Sequence, residues 1–409
     1  MTDTDHTIRE IYLDNAATTR VLPGAAALVA DVMCNSYGNP SSLHHKGFEA
    51  EQLIKAATRS IADSLKVPEE TIVYTSGGTE SNNMALLCGA EARKRRGNHI
   101  ITTRIEHASV YQPILRLEEL GYKVTFLPVD GNGLVQPDTL KEALTDDTIL
   151  VSIMAVNNEI GATEPIAELA DIVHKHNPDT LFHTDAIQAY GKVPIFPKRM
   201  GIDLMSVSGH KLHAPKGTGF LYVREKLSLH PLIYGGGQQK DRRSGTENVP
   251  GIAGLGVAVK HWFAGAEGYR KHLYDLKERF VRAMNDVPGA VVNGVFACSE
   301  GAADAESDFL RERIERTAPH IVSVSFTGVR SEVLLHALEE KGIYVSSGSA
   351  CSSNHPAISG TLKAIGVKES LLDSTLRFSF SFETTEEEID ETAAALRELV
   401  PVLGRYRRG

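Results

Sequence analysis

A chain of 409 residues with net charge −9, 42% hydrophobic and 23% charged residues has the composition of a soluble globular protein long enough for two domains. The acidic balance argues against a broad nucleic-acid or anionic-membrane surface, which needs a cationic footprint. The longest strand-like apolar run, Ile149 to Val156, is far short of the ~20 residues that span a bilayer. The start, Met1-Thr2-Asp3-Thr4-Asp5-His6, lacks the basic and apolar parts of a secretory signal, so a cytoplasmic protein is expected. Cys34, Cys88, Cys298 and Cys351 lie far apart with no Cys-x-x-Cys pair, which indicates neither a disulfide framework nor a structural zinc site.

In chain order, Tyr37 to His45 is turn-rich, and a helical pattern runs from Gly47. The adjacent His44 and His45 suggest a metal, but sequence neighbours rarely converge on one ion and no third ligand has suitable spacing. From 71 to 223, short apolar runs alternate with amphipathic stretches. Thr71–Thr75, His99–Thr103, Lys123–Leu127, Ile149–Val156, Thr180–Thr184, Leu204–Val207 and Gly219–Val223 read as strands. Their β-branched and aromatic content, with helical lengths between most of them, predicts an α/β fold with a mostly parallel sheet covered on both faces. Ligands of such sheets sit beyond the strand ends.

Several of those ends carry chemistry. After the first strand, Thr75-Ser76-Gly77-Gly78-Thr79 leads into a helix from about Glu80, where backbone N–H groups and the helix start suit a phosphate. An ordinary strand-to-helix turn is the competing reading, and the spacing fits neither a dinucleotide fingerprint nor a P-loop. His107, just past a strand in Thr103-Arg104-Ile105-Glu106-His107, suits stacking on a planar cofactor or proton transfer, or is structural. Asn157, in Asn157-Asn158-Glu159-Ile160-Gly161, can donate to an anionic oxygen, with a plain asparagine turn as competitor. Thr184-Asp185-Ala186-Ile187-Gln188 places a carboxylate and an amide three apart, on one side of a helical turn. Asp185 facing a pyridine nitrogen would keep it protonated, with Gln188 reaching a ring hydroxyl oxygen; a helix N-cap at Asp185 is compatible with both. Finally, Ser208-Gly209-His210-Lys211 sets one lysine between anion binders at a strand exit. Its amine can condense with a carbonyl where the surroundings keep it partly unprotonated. Together these turns suit an anionic, aromatic, carbonyl-bearing cofactor, and pyridoxal phosphate meets all three descriptions.

Beyond the sheet, Tyr234 to Asn248 is a glycine-rich loop with a basic middle. After about 260 the pattern becomes helix Tyr269–Met284, strand Ile321–Phe326, helix Glu332–Lys341, strand Thr375–Phe380 and a final helix, a smaller α+β domain. Cys298 to Ala318 is acidic and reads as a surface insertion. Ser346 to Pro356 surrounds Cys351 with small polar residues, unlike a structural cysteine, and a long loop runs from Ser347 to about Lys368.

Ser208-Gly209-His210-Lys211, Thr75 to Asn83, Asn157 to Gly161 and Ser346-Ser347-Gly348-Ser349-Ala350-Cys351 together resemble the cysteine desulfurases of the bacterial nitrogen-fixation and iron–sulfur-cluster type. The likeness spans nearly the whole chain, from Tyr12-Leu13-Asp14-Asn15-Ala16-Ala17-Thr18-Thr19 to Thr385–Asp390. It implies a fold-type I pyridoxal-phosphate-dependent transferase. The large domain would cover 15–260 around a seven-stranded sheet, and the small domain 1–14 and 261–409. It further implies that Lys211 carries the cofactor, that His107 stacks on its ring, and that Gly78, Thr79, Asn157, Asp185, Gln188, Ser208 and His210 bind it. Thr246 would reach the phosphate of a second subunit in a homodimer. Arg377, with Asn157 and Asn39, would hold L-cysteine. Cys351, on a loop like that of the long-loop class, would take the sulfur as a persulfide, releasing alanine, and pass it to an iron–sulfur scaffold or a tRNA-thiolating enzyme. A selenocysteine lyase or an aminotransferase would use the same lysine and aspartate. An inactive scaffold would have lost Lys211 or Cys351, and a nucleotide-binding module leaves Lys211 unexplained.

Overall fold

The structure is a computed structural model that describes residues 9–294, 309–347 and 359–406. Cys298 and Cys351 lie outside the described residues, as do most of the acidic stretch and the middle of the cysteine loop.

After β1 (Ile11–Tyr12) come the strands of the large sheet: β2 (Ile72–Thr75), β3 (His99–Thr103), β4 (Lys123–Leu127), β5 (Thr148–Ser152), β6 (Leu181–Asp185), β7 (Leu204–Ser208) and β8 (Gly219–Val223). Their spatial order is β2-β8-β7-β6-β5-β3-β4. All run in one direction except β8, which is antiparallel to β2 and β7. The short connection Gly209–Thr218 leaves no room for the crossover that a parallel return requires. Successive side chains alternate between faces. Ile101, Val151, Phe182 and Met205 enter a core shared with Ala57, Ile61 and Leu255, whereas Ile100, Leu150, Leu181 and Leu204 pack with Met84, Leu86 and Ile114. Each such buried side chain contributes about 1.5–3 kcal/mol. This double burial explains why the strands read as continuous apolar runs.

The two sheet edges are finished differently. β4 is half-exposed and begins with the exposed Lys123, a charge that discourages further pairing. On β2, the Gln239 side chain imitates a neighbouring strand: its Oε1 accepts from Tyr74 N (2.7 Å) and its Nε2 donates to Tyr74 O (3.0 Å). The 234–248 loop is therefore fastened to the sheet, with Arg243 also bonded to Glu80, and is not a free linker.

The later strands are β9 (Ala290–Val292), β10 (Ile321–Phe326), β11 (Ile343–Tyr344), β12 (Ser346–Ser347) and β13 (Thr375–Ser379). They form an antiparallel sheet in the order β12-β13-β10-β9, and β11 pairs in parallel with β1. Helices Ala266–Met284 and Glu386–Leu403 contribute Phe280 and Leu396 to the core that holds Phe326 and Phe378. The second helix opens on a capping box between Thr385 and Glu388.

Several expectations change. β5 ends at Ser152 rather than Val156, although Ile153 and Ala155 still donate to the carbonyls of His183 and Asp185. Asp185 closes β6, and a turn without a helix follows it, so it caps no helix; its Oδ1 accepts from Ile187 N two residues on. The stretch expected to be loop up to Lys368 contains a short helix, Gly360–Ala364, capped by Ser359. Leu362 and Ile365 bury themselves there against Ile160. The end of the acidic segment is the helix Phe309–Glu315, whose Leu310 and Ile314 join the core, so this part is not a surface insertion.

Candidate active site

The carboxyl ends of β2, β3, β6 and β7 open on one edge of the large sheet, and a cavity of about 200 Å³ lies among the turns that leave them. Gly78, Thr79, His107, Asp185, Gln188, Ser208, His210, Lys211 and Arg377 line it, so nine residues selected from sequence, spread over 300 positions, converge.

The turn after β2 fits closely against its neighbours. Gly77 has φ +150°, open to glycine but rarely to L side chains, and a Cβ on Gly78 would strike the Ile187 side chain. A Cβ on Gly219 would come within 2.8 Å of Gly77 Cα. The loops after β2 and β6 and the start of β8 are thereby pressed together, with Ser208 beside Gly77. His210 contacts Thr18 Oγ1 through Nδ1 at 3.2 Å. Burial and the nearby Lys211 push its pKa down to about 4, so at neutral pH it is an uncharged hydrogen-bonding ring.

Lys211 follows β7 in a single helical turn and directs Nζ at the carbonyls of Ala16 (2.7 Å) and Ala17 (2.5 Å). The Asn15–Thr19 turn is held there from the other side by Thr19 N donating to His210 O (2.9 Å). Behind it, the buried Lys192 donates to Lys211 O (2.5 Å), and burial together with the Lys211 charge lowers its own pKa to about 7.

Asp185 is 3% exposed. Burial raises its pKa, opposed chiefly by the Ile187 N–H, the charge of His107 and the Asn82 amide. Asn82 Nδ2 donates to Asp185 Oδ2 (2.8 Å) and to Ser109 Oγ (2.9 Å), and Ser109 Oγ lies 2.8 Å from His107 Nδ1. Ser109 N, which can only donate, also points at His107 Nδ1 (3.1 Å), so the proton of the neutral ring sits on Nε2. Sequence reading found Asp185 and His107 but missed Asn82 and Ser109, which connect them. A polar pair on the buried side of the helix after Gly77 was the available signal. Glu106 was missed too. Its Oε1 accepts from Thr103 Oγ1 (2.8 Å) and Met154 N (2.9 Å), its Oε2 is buried without a partner, and burial pushes its pKa up to about 8.

Arg377, on β13, is 5% exposed and enters the cavity from the smaller sheet. Its Nη2 donates to Asp14 Oδ1 (2.9 Å) and its Nη1 to Asn158 O (2.8 Å), while Nε is buried without a partner. The neighbouring asparagines trade places relative to expectation. Asn157 is consumed by its own turn, accepting from Glu159 N and Ile160 N and donating to Ile105 O, whereas Asn158 lines the cavity. Asn39 is exposed, bonded to Ser41 N, and Thr246 is exposed on the 234–248 loop; neither lines the cavity of its own chain. Among the described residues no His, Cys, Asp and Glu side chains gather as a metal site, and His44 instead caps the helix His45–Leu65.

An amine at the end of a short turn, a buried carboxylate with an amide donor, an imidazole, a glycine turn beside a serine and a guanidinium that retains an unpartnered nitrogen form a donor set that fits pyridoxal phosphate and an amino-acid substrate. Comparison with known proteins agrees. The chain belongs to the aminotransferase class-V family, whose model matches residues 11–392, and like that family it is pyridoxal-phosphate-dependent. It is 40% identical over 396 residues to the cysteine desulfurase IscS of Dictyoglomus turgidum, covering 97% of this chain and 95% of that protein. Among solved structures, a NifS-like protein superposes with TM-score 0.87 at 36% identity, covering 97% of this chain and all of the other. A structure described as SspA in complex with cysteine gives TM-score 0.76 at 33% identity, covering 91% and 99% of the two chains.

Proposed function

We infer that the chain is a cysteine desulfurase, converting L-cysteine to L-alanine and retaining the sulfur as a persulfide. The observation that carries this reading is the convergence of Lys211, Asp185 and Arg377 on one cavity, in a chain whose relatives are cysteine desulfurases.

Pyridoxal phosphate, when bound, supplies an electron sink for the carbon next to the substrate's amino group. Lys211 anchors it through the amine now seated on Ala16 O and Ala17 O, and once released, that amine is the base that removes and returns the α-proton. Asp185 would pair with a protonated ring nitrogen. His107 would face the ring and could supply its Nε2 proton during sulfur removal. Gly78, Thr79, Ser208 and His210 would hold the phosphate. Arg377 exchanges part of its bonding to Asp14 and Asn158 for the substrate carboxylate. The Cys351 thiolate attacks the substrate sulfur: an S–S bond forms, the substrate C–S bond breaks, and its electron pair stays with carbon, which is protonated to alanine.

Around that chemistry the reading places a cytoplasmic homodimer. No helix among the described residues is long and apolar enough to cross a membrane. Met33, Tyr37, Leu43, Phe48 and Tyr234 expose large apolar surface, which a second copy would cover while Thr246 reaches its phosphate site. A division into 15–260 and 1–14 with 261–409 is supported by β1 pairing with β11. The sulfur passes to an acceptor protein, an iron–sulfur scaffold or a tRNA-thiolating enzyme.

The test is borohydride reduction of the pyridoxal-phosphate-loaded protein, followed by mass mapping. A pyridoxyl label on Lys211, and a Cys351 peptide one sulfur heavier after L-cysteine with alanine released, are the expected results. A label elsewhere, or alanine without sulfur on Cys351, overturns the reading.

A further inference from the structure

We propose that His320 is a positioning residue that fixes the side-chain amide of Gln188 with its nitrogen toward the cofactor cavity. His320 stands just before β10, on the smaller sheet, and is 1% exposed. Its Nε2 lies 3.1 Å from Gln188 Oε1 across 132 positions of the chain, and Gln188 Nε2 donates to Ala16 O at 2.9 Å.

The polarity of this chain of bonds follows from its ends. The Ala16 carbonyl can only accept, so the amide nitrogen of Gln188 must face it and Oε1 must face His320. An amide oxygen also only accepts, so His320 Nε2 carries the ring proton and donates. The other ring nitrogen, Nδ1, is then a bare lone pair, and it is buried without a partner. Burial and the surrounding cations, Lys192 first, hold the pKa of His320 well below its ordinary value, in keeping with a neutral ring. A residue wanted only for packing would not leave a nitrogen orphaned in the core, at a cost of about 1–3 kcal/mol.

Two features make this contact more than local. Ala16 O also receives Lys211 Nζ, so the amide fixed by His320 and the cofactor-anchoring amine share one acceptor. The backbone beside His320 is itself tethered: Lys277 Nζ donates to Ala318 O (2.8 Å), Ala318 N to Gly161 O (2.8 Å), and Phe380 N to His320 O (2.9 Å). With one N–H on Ala16 O, the amide has its second for an oxygen of the bound ring. Without His320 only the Ala16 carbonyl opposes a flip of the amide, and the flipped amide would present its oxygen and repel that ring oxygen.

The proposal deepens the pyridoxal phosphate reading and rests on it. The apo forms of the wild type, H320A, H320Q, Q188A and H320A/Q188A are titrated with pyridoxal 5′-phosphate, recording Kd and the absorbance maximum of the bound cofactor; thermal unfolding verifies that each is folded. H320A is expected to raise Kd about five- to tenfold and to move the maximum. H320Q, which returns an amide donor at comparable reach, restores both, and H320A adds nothing in the Q188A background. Should H320A not fold, H320M takes its place. An alanine or methionine variant that binds like the wild type, or an effect of the same size in the Q188A background, overturns the proposal while leaving the cofactor reading intact. A wild-type protein that takes up no cofactor on Lys211 overturns both.

Discussion

Arg377 and Asp14 meet at 2.9 Å across 363 positions, one in the middle of the last described strand and the other just after the first. The arginine side chain is 6% exposed and the aspartate 21%, so the pair is largely shielded from water. Burial raises the Asp14 pKa, against the pull of Arg377. The Asp14 carboxylate occupies Nη2 of the guanidinium, and a second carboxylate entering the cavity must compete with it there.

Replacing Arg377 therefore acts on substrate more than on cofactor. R377A is expected to bind pyridoxal phosphate as the wild type does while losing about 2–3 kcal/mol of charged hydrogen bonding to L-cysteine, a roughly 30- to 160-fold fall in kcat/KM. Steady-state alanine formation checks this, and an unchanged kcat/KM would remove Arg377 from the substrate site.

Removing the Asn82 amide takes a donor from the Asp185 carboxylate. Because that bond favours the anion, its loss raises the Asp185 pKa further. In N82A the acid limb of the pH profile of kcat moves to higher pH, with the alkaline limb in place. An unmoved acid limb would show that another group controls it.

Cys351→Ser leaves the fold and the cofactor site as they are, and the protein still binds pyridoxal phosphate. Sulfur transfer ceases, so no persulfide peptide appears after L-cysteine. Sustained sulfur delivery by C351S, measured with a thiol acceptor, would move the chemistry to another residue.

Glu159 anchors the far side of the cysteine loop: its carboxylate accepts from Ser359 Oγ (2.5 Å) and Thr361 Oγ1 (3.1 Å). E159A is expected to keep cofactor binding and to slow persulfide formation on Cys351 by about tenfold, the cost of a lost charged hydrogen bond. Single-turnover mass analysis of the Cys351 peptide reads this directly.

Glu106 contributes a pH-dependent term to stability. Its folded-state pKa is raised to about 8 from an ordinary 4.5, so its contribution is complete below 4.5 and is lost as pH climbs toward 8. Glu164 acts in the same direction, whereas Lys192 and Lys277, lowered to about 7, act oppositely. The comparison with E106Q isolates the one residue: between pH 5 and 8 the wild-type Tm should fall by a few degrees relative to the variant. Parallel curves would contradict a neutral Glu106.

The strands were legible because parallel strands buried on both faces write themselves as apolar runs, and their polar exits name the residues that reach the cavity. Lys211, Asp185, His107 and the Gly77-Gly78 turn all stood out for that reason. Two adjacent asparagines look alike in sequence, and only the backbone donors at Glu159 and Ile160 show that Asn157 is the one that holds the turn. Asn82, Glu106 and His320 were missed because each matters through a partner distant in sequence, as Asn82 does through Asp185, 103 positions away. A stretch such as Glu332–Lys341, whose helix is observed at Ser331–Glu339, needed no partner to be recognised.

The pairing of β1 with β11, with Ser379 Oγ bonded to Ala16 N, has a consequence for biosynthesis. The carbonyl that receives Lys211 is steadied by residues translated near opposite termini. A ribosome can finish the strands of the large sheet with the pocket still lacking one wall, so maturation of the site must await the emergence of β13. A truncation before Arg377 would leave the pocket without the guanidinium that enters it from the smaller sheet.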